Sequence, residues 1–152
     1  MILHLSFLNR KKSYCGYLLF FLLFCSCSQV LNFNDASIYG SWKSPYGDSY
    51  VITDETIQYD DGGYGFDWSA SIELITDKYV YFKYLTVGDQ LDKSQINNYS
   101  CISYKNLSNR GCQMSTAYKK NKNSYYPTLE EVKNEIKIEN GYFEFFGEYE
   151  KF

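Results

Sequence analysis

Phe66-Asp67-Trp68-Ser69-Ala70-Ser71-Ile72-Glu73-Leu74 (FDWSASIEL) is the stretch that decides the fold class. Phe66, Trp68, Ala70, Ile72 and Leu74 alternate with Asp67, Ser69, Ser71 and Glu73. That period of two places a dry face and a wet face on one extended strand. Thr76-Asp77-Lys78 then turns the chain into Tyr79–Val87 (YVYFKYLTV), an aromatic and β-branched run that suits a second strand.

Working outward, the same grammar continues in both directions. Upstream, Gly40–Ser44, Ser49–Thr53 and Thr56–Asp60 are short strand candidates, broken at Tyr46-Gly47-Asp48 and Asp54-Glu55. Asp61-Gly62-Gly63-Tyr64-Gly65 is a turn, because glycine takes positive φ without a steric penalty. Downstream, a polar loop from Gly88 to Asn97 leads to Asn98–Leu107 and Cys112–Tyr118, which read as a hairpin about Asn109-Arg110-Gly111. Lys119–Tyr126 is a basic, Asn-rich loop closed by Pro127. One helix follows: Thr128 and Glu131 form a capping box, and Leu129, Val132 and Ile136 form an apolar stripe. Asn140-Gly141 ends it, and Tyr142–Tyr149 reads as a final strand. The expected fold is all-β, a small antiparallel barrel of about eight strands with one C-terminal helix.

The N-terminus carries a different signal. Arg10, Lys11 and Lys12 precede the apolar run Tyr17–Phe24 (YLLFFLLF), and Cys25-Ser26-Cys27-Ser28 comes next. The run is shorter than the ~20 apolar residues that span a bilayer but suits the core of an export signal. Phe24 before Cys25 is too bulky for a signal-peptidase pocket, whereas Ser26 before Cys27 fits. The expectation is a lipoprotein signal over 1–26, lipidation at Cys27, a tether over 27–39 and a barrel domain over 40–152. An ordinary cleaved signal peptide and an uncleaved amphiphilic anchor are the rival readings. Two or more acyl chains on Cys27 would anchor stably.

Assigning Cys27 to lipid simplifies the rest. The chain has 18 acids, all after Cys27, and three of its 15 basic residues leave with the signal, so the mature chain is more acidic than the full-length net charge of −3. An acidic surface argues against nucleic acid and anionic headgroups. The single histidine, His4, lies in the signal. The mature chain therefore has no Ser-His-Asp or Cys-His machinery and no His-ligated zinc. Of five cysteines only Cys101 and Cys112 remain, an even pair in an oxidising compartment. They read either as a disulfide or as two separate buried thiols. A tight turn at Ser108–Gly111 would leave them too far apart along the hairpin, and a wider loop from Asn106 to Arg110 would let them meet.

Gly40-Ser41-Trp42 resembles the G-x-W opening of lipocalin-type barrels, and the late helix before a closing strand is also similar. Over a longer span, Gly40–Thr53 (GSWKSPYGDSYVIT), Glu55–Phe66 (ETIQYDDGGYGF), Tyr104–Tyr118 (YKNLSNRGCQMSTAY) and Thr128–Lys151 (TLEEVKNEIKIENGYFEFFGEYEK) resemble a family of small treponemal lipoproteins. Its members share the G-x-W, a YGD-x-Y-x-IT segment, a YDDG turn and an LEEAK-like terminal helix. The resemblance implies a lipidated, lipocalin-like barrel, sometimes duplicated, and supplies no catalytic residues. No internal repeat is present here, so a single domain is expected.

Several constellations are candidates for function. Asp60-Asp61-Gly62-Gly63, with Asp67 nearby, has the residue types of a calcium loop but lacks EF-hand spacing and reads as a hairpin turn, so no metal or other cofactor is expected. Glu73, Glu144 and Glu148 lie on strand candidates, and a carboxylate-based hydrolase is the minor alternative. The compositional oddity is 17 tyrosines beside 11 phenylalanines and two tryptophans. Tyr46, Tyr50, Tyr59 and Tyr64 are expected as an exposed patch near the first turns. Trp68, Phe66, Tyr81 or Tyr79, and Phe143 are expected to point inward, where Trp68 is also a candidate ligand contact. The loop Lys119-Lys120-Asn121-Lys122 is locally basic and reads as solvated. The expected role is a non-enzymatic, monomeric, lipid-anchored protein of the bacterial outer membrane, at its surface or periplasmic face. It would bind a protein partner through tyrosines, or alternatively carry a small apolar ligand in a calyx.

Overall fold

The structure is a computed structural model that describes residues 36–152. The expected signal peptide, Cys27 and the tether as far as Asp35 lie outside the described residues. The expected fold is the observed one: eight antiparallel strands pair only with their sequence neighbours, and the last closes on the first. They are β1 (Gly40–Lys43), β2 (Ser49–Ile52), β3 (Thr56–Asp60), β4 (Trp68–Ile75), β5 (Tyr79–Val87), β6 (Tyr99–Lys105), β7 (Gly111–Thr116) and β8 (Gly147–Lys151). Closure rests on the pairs Trp42↔Lys151 and Lys43↔Glu150, extended by Phe152 N–H donating to the Ser41 carbonyl at 3.0 Å. A short 3₁₀ turn covers Lys93–Gln95, and one helix, α1 (Leu129–Glu135), precedes β8.

The up-and-down order fixes two ends. One carries the β1–β2 and β3–β4 turns, the β5–β6 loop and the long β7–β8 connection. The other carries the remaining three turns and the chain entry at Ala36–Tyr39. Ile38 is only 4% exposed within the core, and the Trp42 indole N–H donates to its carbonyl at 2.7 Å. Ile38, just ahead of β1, is thus packed into the barrel core.

The decisive strand behaves as expected up to Ile72. Trp68, Ala70 and Ile72 face inward, while Ser69 faces outward, with Ser69 Oγ 2.7 Å from Thr86 Oγ1. Two register shifts then interrupt the β4–β5 ladder. The pairing runs from Ile72↔Phe82 directly to Leu74↔Tyr81, leaving Glu73 as an extra residue. On β5 it passes from Tyr84 to Thr86, leaving Leu85 unpaired. A bulge of one residue inverts the facing of everything beyond it. Leu74 consequently turns outward, and Ile75 joins the core in its place. Phe66 lies before the strand and is 48% exposed, not inward as its parity suggested.

Two apolar layers result. The inner layer fills the barrel with Trp42, Tyr50, Ile52, Ile57, Trp68, Ala70, Val80, Phe82, Tyr84, Ile102, Tyr104, Met114 and Tyr149. The outer layer lies against the wall formed by β5 and β6. Tyr81 and Cys101 pack there with Val132 of α1, with Ile136 at its C-terminal cap, and with Tyr142 and Phe143. Phe143, and either Tyr81 or Tyr79, are expected inside the barrel; all three belong to this outer layer. Thr128 caps α1 by accepting from Glu131 N–H at 3.3 Å, and the Glu131 carboxylate accepts from Thr128 N–H at 3.1 Å. This is the expected capping box, and α1 covers the wall.

The expected last strand Tyr142–Tyr149 shortens to Gly147–Lys151. Residues 142–146 instead run irregularly over the wall, with Tyr118 N–H donating to the Tyr142 carbonyl at 2.9 Å. Two buried aromatic residues in succession, Tyr142 and Phe143, cannot both face one side of a strand. Here both are buried against the outer wall.

Candidate functional site

A carrier's ligand site would be the barrel interior, and aromatic rings occupy it. Tyr50, Tyr59, Trp68, Phe82, Tyr84 and Tyr149 form a connected cluster beneath the loop end. Trp68 stacks on Phe82 at 4.7 Å between centroids and on Tyr59 at 5.8 Å. Tyr50 contacts Tyr59 at 4.8 Å and Tyr149 at 5.3 Å. Tyr84 meets Phe82 and Trp68 edge-on at 5.1 and 5.5 Å. These separations lie within the contact range of aromatic pairs, and eight strands enclose a space that such side chains can fill.

The hydroxyls of this plug have partners. Tyr149 Oη and Ser44 Oγ both donate to the Asp48 carboxylate, which sits on the β1–β2 turn over the mouth. Burial, reinforced by Tyr149, Tyr59 and Asp48, holds the Tyr50 phenol well above its ordinary pKa. Burial and then the nearby Asp48, Asp61 and Asp60 carboxylates push Tyr59 up to about 12. Burial and then the bond to Asp48 raise Tyr149 as well. The rings are thus held as neutral phenols.

The expected tyrosine patch divides in two. Tyr46 and Tyr64 are 94% and 77% exposed at the tips of the β1–β2 and β3–β4 turns. Tyr50 is buried in the plug and Tyr59 partly so, which corrects the expectation that all four form one exposed surface. The missed signal is strand parity: Tyr50 shares its face with Ile52, and Val51 takes the outer one. Trp68 is inward as expected, but as part of the filling. Phe66, expected inward, stands exposed beside Tyr64.

Local chemistry holds these turns in place. Asp61 is buried at the base of the β3–β4 turn and accepts N–H bonds from Gly63 and Tyr64 at 2.9 Å and from Phe66 at 2.5 Å. Burial opposes its charge, but the Phe66, Gly63 and Tyr64 amides outweigh it and hold the carboxyl below its usual pKa. The acidic turn is thus a self-satisfied loop, and no group of three metal-ligating side chains occurs among the described residues. The loop is braced by Gln90 N–H donating to the Gly65 carbonyl at 3.0 Å and Gly88 N–H to the Asp67 carbonyl at 2.7 Å. Gly88 is required by close approach, since a Cβ there would lie 2.3 Å from the Gly65 oxygen. Gly62 has φ +79° and approaches Gly47 across the rim, bringing the Tyr46 and Tyr64 turns together.

Cys101 and Cys112 are both free and buried, which corrects the disulfide reading. The β6–β7 register runs from Ile102↔Thr116 to Lys105↔Gln113, so the two cysteines sit at opposite ends of the hairpin. Their side chains also lie in different layers, Cys112 inside the barrel and Cys101 beneath α1. The turn is the tight form, with Ser108 N–H donating to the Gly111 carbonyl at 2.9 Å. Burial raises both thiols, Cys112 to about 12.

Glu73, Glu144 and Glu148 are exposed on three separate segments, and Glu148 accepts from the Gln113 amide. An open groove of about 720 Å³ runs along the outside of β7 and β8, lined by polar residues including Arg110, Gln113, Glu148 and Glu150. In the basic loop, Lys119 Nζ donates to the Asn140 carbonyl at 2.6 Å, while Lys120 and Lys122 are exposed. No family model, curated protein or solved structure matches the chain. A closed β-barrel is compatible with a ligand-carrying or a binding role.

Proposed function

We propose that this chain is a non-enzymatic, lipid-anchored binding protein of the bacterial envelope that recognises a protein partner through exposed aromatic residues at the loop end of its barrel. One observation carries the reading: rings fill the interior, while Tyr46, Tyr64 and Phe66 stand in solvent on two turns held against each other. A filled barrel leaves little volume for a carried ligand. Tyrosine side chains on rigid turns offer large contact area at low entropic cost. The signal-like segment ending at Cys27 supports anchoring.

The test compares capture of envelope and host proteins by wild type and by a Tyr46→Ser/Tyr64→Ser variant, with Cys27→Ala assayed for membrane fractionation and acyl labelling. The reading expects a specific partner lost with the rim variant, and loss of acylation and membrane association with Cys27→Ala. Equal capture by both proteins would overturn the rim assignment. Membrane association without Cys27 would overturn the anchor.

A further inference from the structure

The loop end has a second property that names the chemistry of its partner. Across the turns 44–48 and 60–67 and the loop 88–98, the chain places six aspartates and a single lysine. Asp61 is consumed by backbone amides, Asp48 by Tyr149 and Ser44, and Asp92 by Ser94 and Tyr125. Lys93 is also committed: its Nζ bonds the Val87 and Gly88 carbonyls at 3.0 and 3.1 Å and Asp89 at 3.2 Å. Three carboxylates keep solvent exposure on the same rim as Tyr46, Tyr64 and Phe66: Asp67, Asp60, whose Oδ1 accepts from Gly62 N–H at 2.8 Å, and Asp89, which pairs with Lys93 at its surface. The turns at the other end, 53–55, 76–78 and 106–110, mix Asp54, Glu55 and Asp77 with Lys78 and Arg110 and contain no aromatic residue.

We propose that the loop end, with Tyr46, Tyr64 and Phe66 exposed among Asp60, Asp67 and Asp89, docks a lysine- or arginine-bearing segment of a protein. This rests on the rim reading above and adds the partner's charge. Aromatic faces attract a guanidinium or ammonium through the ring quadrupole. The carboxylates supply charge-assisted hydrogen bonds to the same groups. A net acidic rim also speeds encounter with a cationic partner and discriminates against an acidic one. The β7–β8 connection at the same end, which carries the basic loop Lys119-Lys120-Asn121-Lys122, holds five lysines and five glutamates and so leaves the net acidity of the three turns uncancelled.

The experiment titrates the full chain in neutral detergent with a short Lys/Arg-rich peptide and with a Glu-rich peptide of equal length, and repeats the partner capture with two triple variants. One is Tyr46→Ser/Tyr64→Ser/Phe66→Ser and the other is Asp60→Asn/Asp67→Asn/Asp89→Asn. All six side chains are exposed and the Asn replacements are isosteric, so matched circular dichroism spectra verify that the fold is kept. The inference expects saturable binding of the cationic peptide only, weakened by about tenfold or more in each triple variant and weakened further by salt. No cationic binding, or binding indifferent to the aromatic variant, would overturn it. Capture lost with the aromatic variant but untouched by the aspartate variant overturns the cationic chemistry and leaves the rim reading standing. Capture unaffected by either overturns both.

Discussion

Two sets of aromatic residues lie almost side by side in this chain and end in opposite environments. Tyr50 is four residues from Tyr46, and Trp68 is two from Phe66. Yet Tyr50 and Trp68 are buried in the plug while Tyr46 and Phe66 face solvent. Residue type does not separate the sets. What separates them is whether the backbone is inside the hydrogen-bonded ladder and which parity it has there. Once Tyr50 pairs with Tyr59 and Tyr59 with Trp68, the pleat sends all three side chains to the same face. Tyr46, Tyr64 and Phe66 sit on turns whose conformation is fixed by glycines and by Asp61, so no neighbouring strand claims them. The plug keeps the fold closed, and the rim is left free for contact.

That contrast can be broken most sharply at Trp68. Trp68→Ala removes the ring that touches Tyr50, Tyr59, Phe82 and Tyr84, and should cost about 3–5 kcal/mol in denaturant unfolding. A small domain near the usual margin of stability would lose much of its folded population.

Ile136→Ala strikes the outer layer instead and should cost about 2 kcal/mol or more. Its signature is local: a thiol reagent should modify Cys101, beneath α1, faster than in wild type, while Cys112 inside the closed barrel keeps its protection. Equal acceleration at both cysteines would mean that the layers open as one unit.

A smaller effect comes from alkali. Tyr59 is raised to about 12 from an unfolded value of 10.0, and Tyr50 and Tyr149 are also raised. For groups shifted upward, the stabilisation is fully present below the unfolded pKa and is lost as pH climbs through the folded one. Stability should therefore hold up to about pH 10 and decline from there through pH 12, as followed by denaturant melts at successive pH values. A stability independent of pH across that window would contradict a plug of neutral, buried phenols. The smallest change belongs to the rim. Tyr46→Ser with Tyr64→Ser should shift unfolding free energy by no more than about 0.5 kcal/mol while removing the partner.

Much of this architecture was legible in the residues. Alternation in Trp68–Ile72, the Gly-rich turns and the Thr128–Glu131 capping box all report local backbone preferences that the fold simply adopts. The misread positions on β5 and β6 share one cause: they depend on what covers a face. Tyr79, Tyr81 and Cys101 face outward but are buried because α1 and residues 142–143 lie over them. The clue was the near-continuous apolar run of β5, which marks a strand covered on both sides. The bulge at Glu73 had no local marker, so Leu74 and Ile75 exchange roles without warning. The split of the tyrosine patch was half legible: glycine-rich turns identify Tyr46 and Tyr64, and the inward parity of Tyr50 follows only if it is tied to Ile52. Phe66 was lost by extending a good strand through a turn that Asp61 holds.

The most direct test of a barrel filled by its own rings is a titration of the protein with an apolar fluorescent fatty acid, following probe emission together with the tryptophan fluorescence of Trp42 and Trp68, both inside the barrel. The filled interior predicts no saturable binding and an unchanged tryptophan signal. One-to-one saturation accompanied by a tryptophan response would contradict it, because the probe would then occupy the space assigned to Tyr50, Tyr59, Trp68, Phe82, Tyr84 and Tyr149.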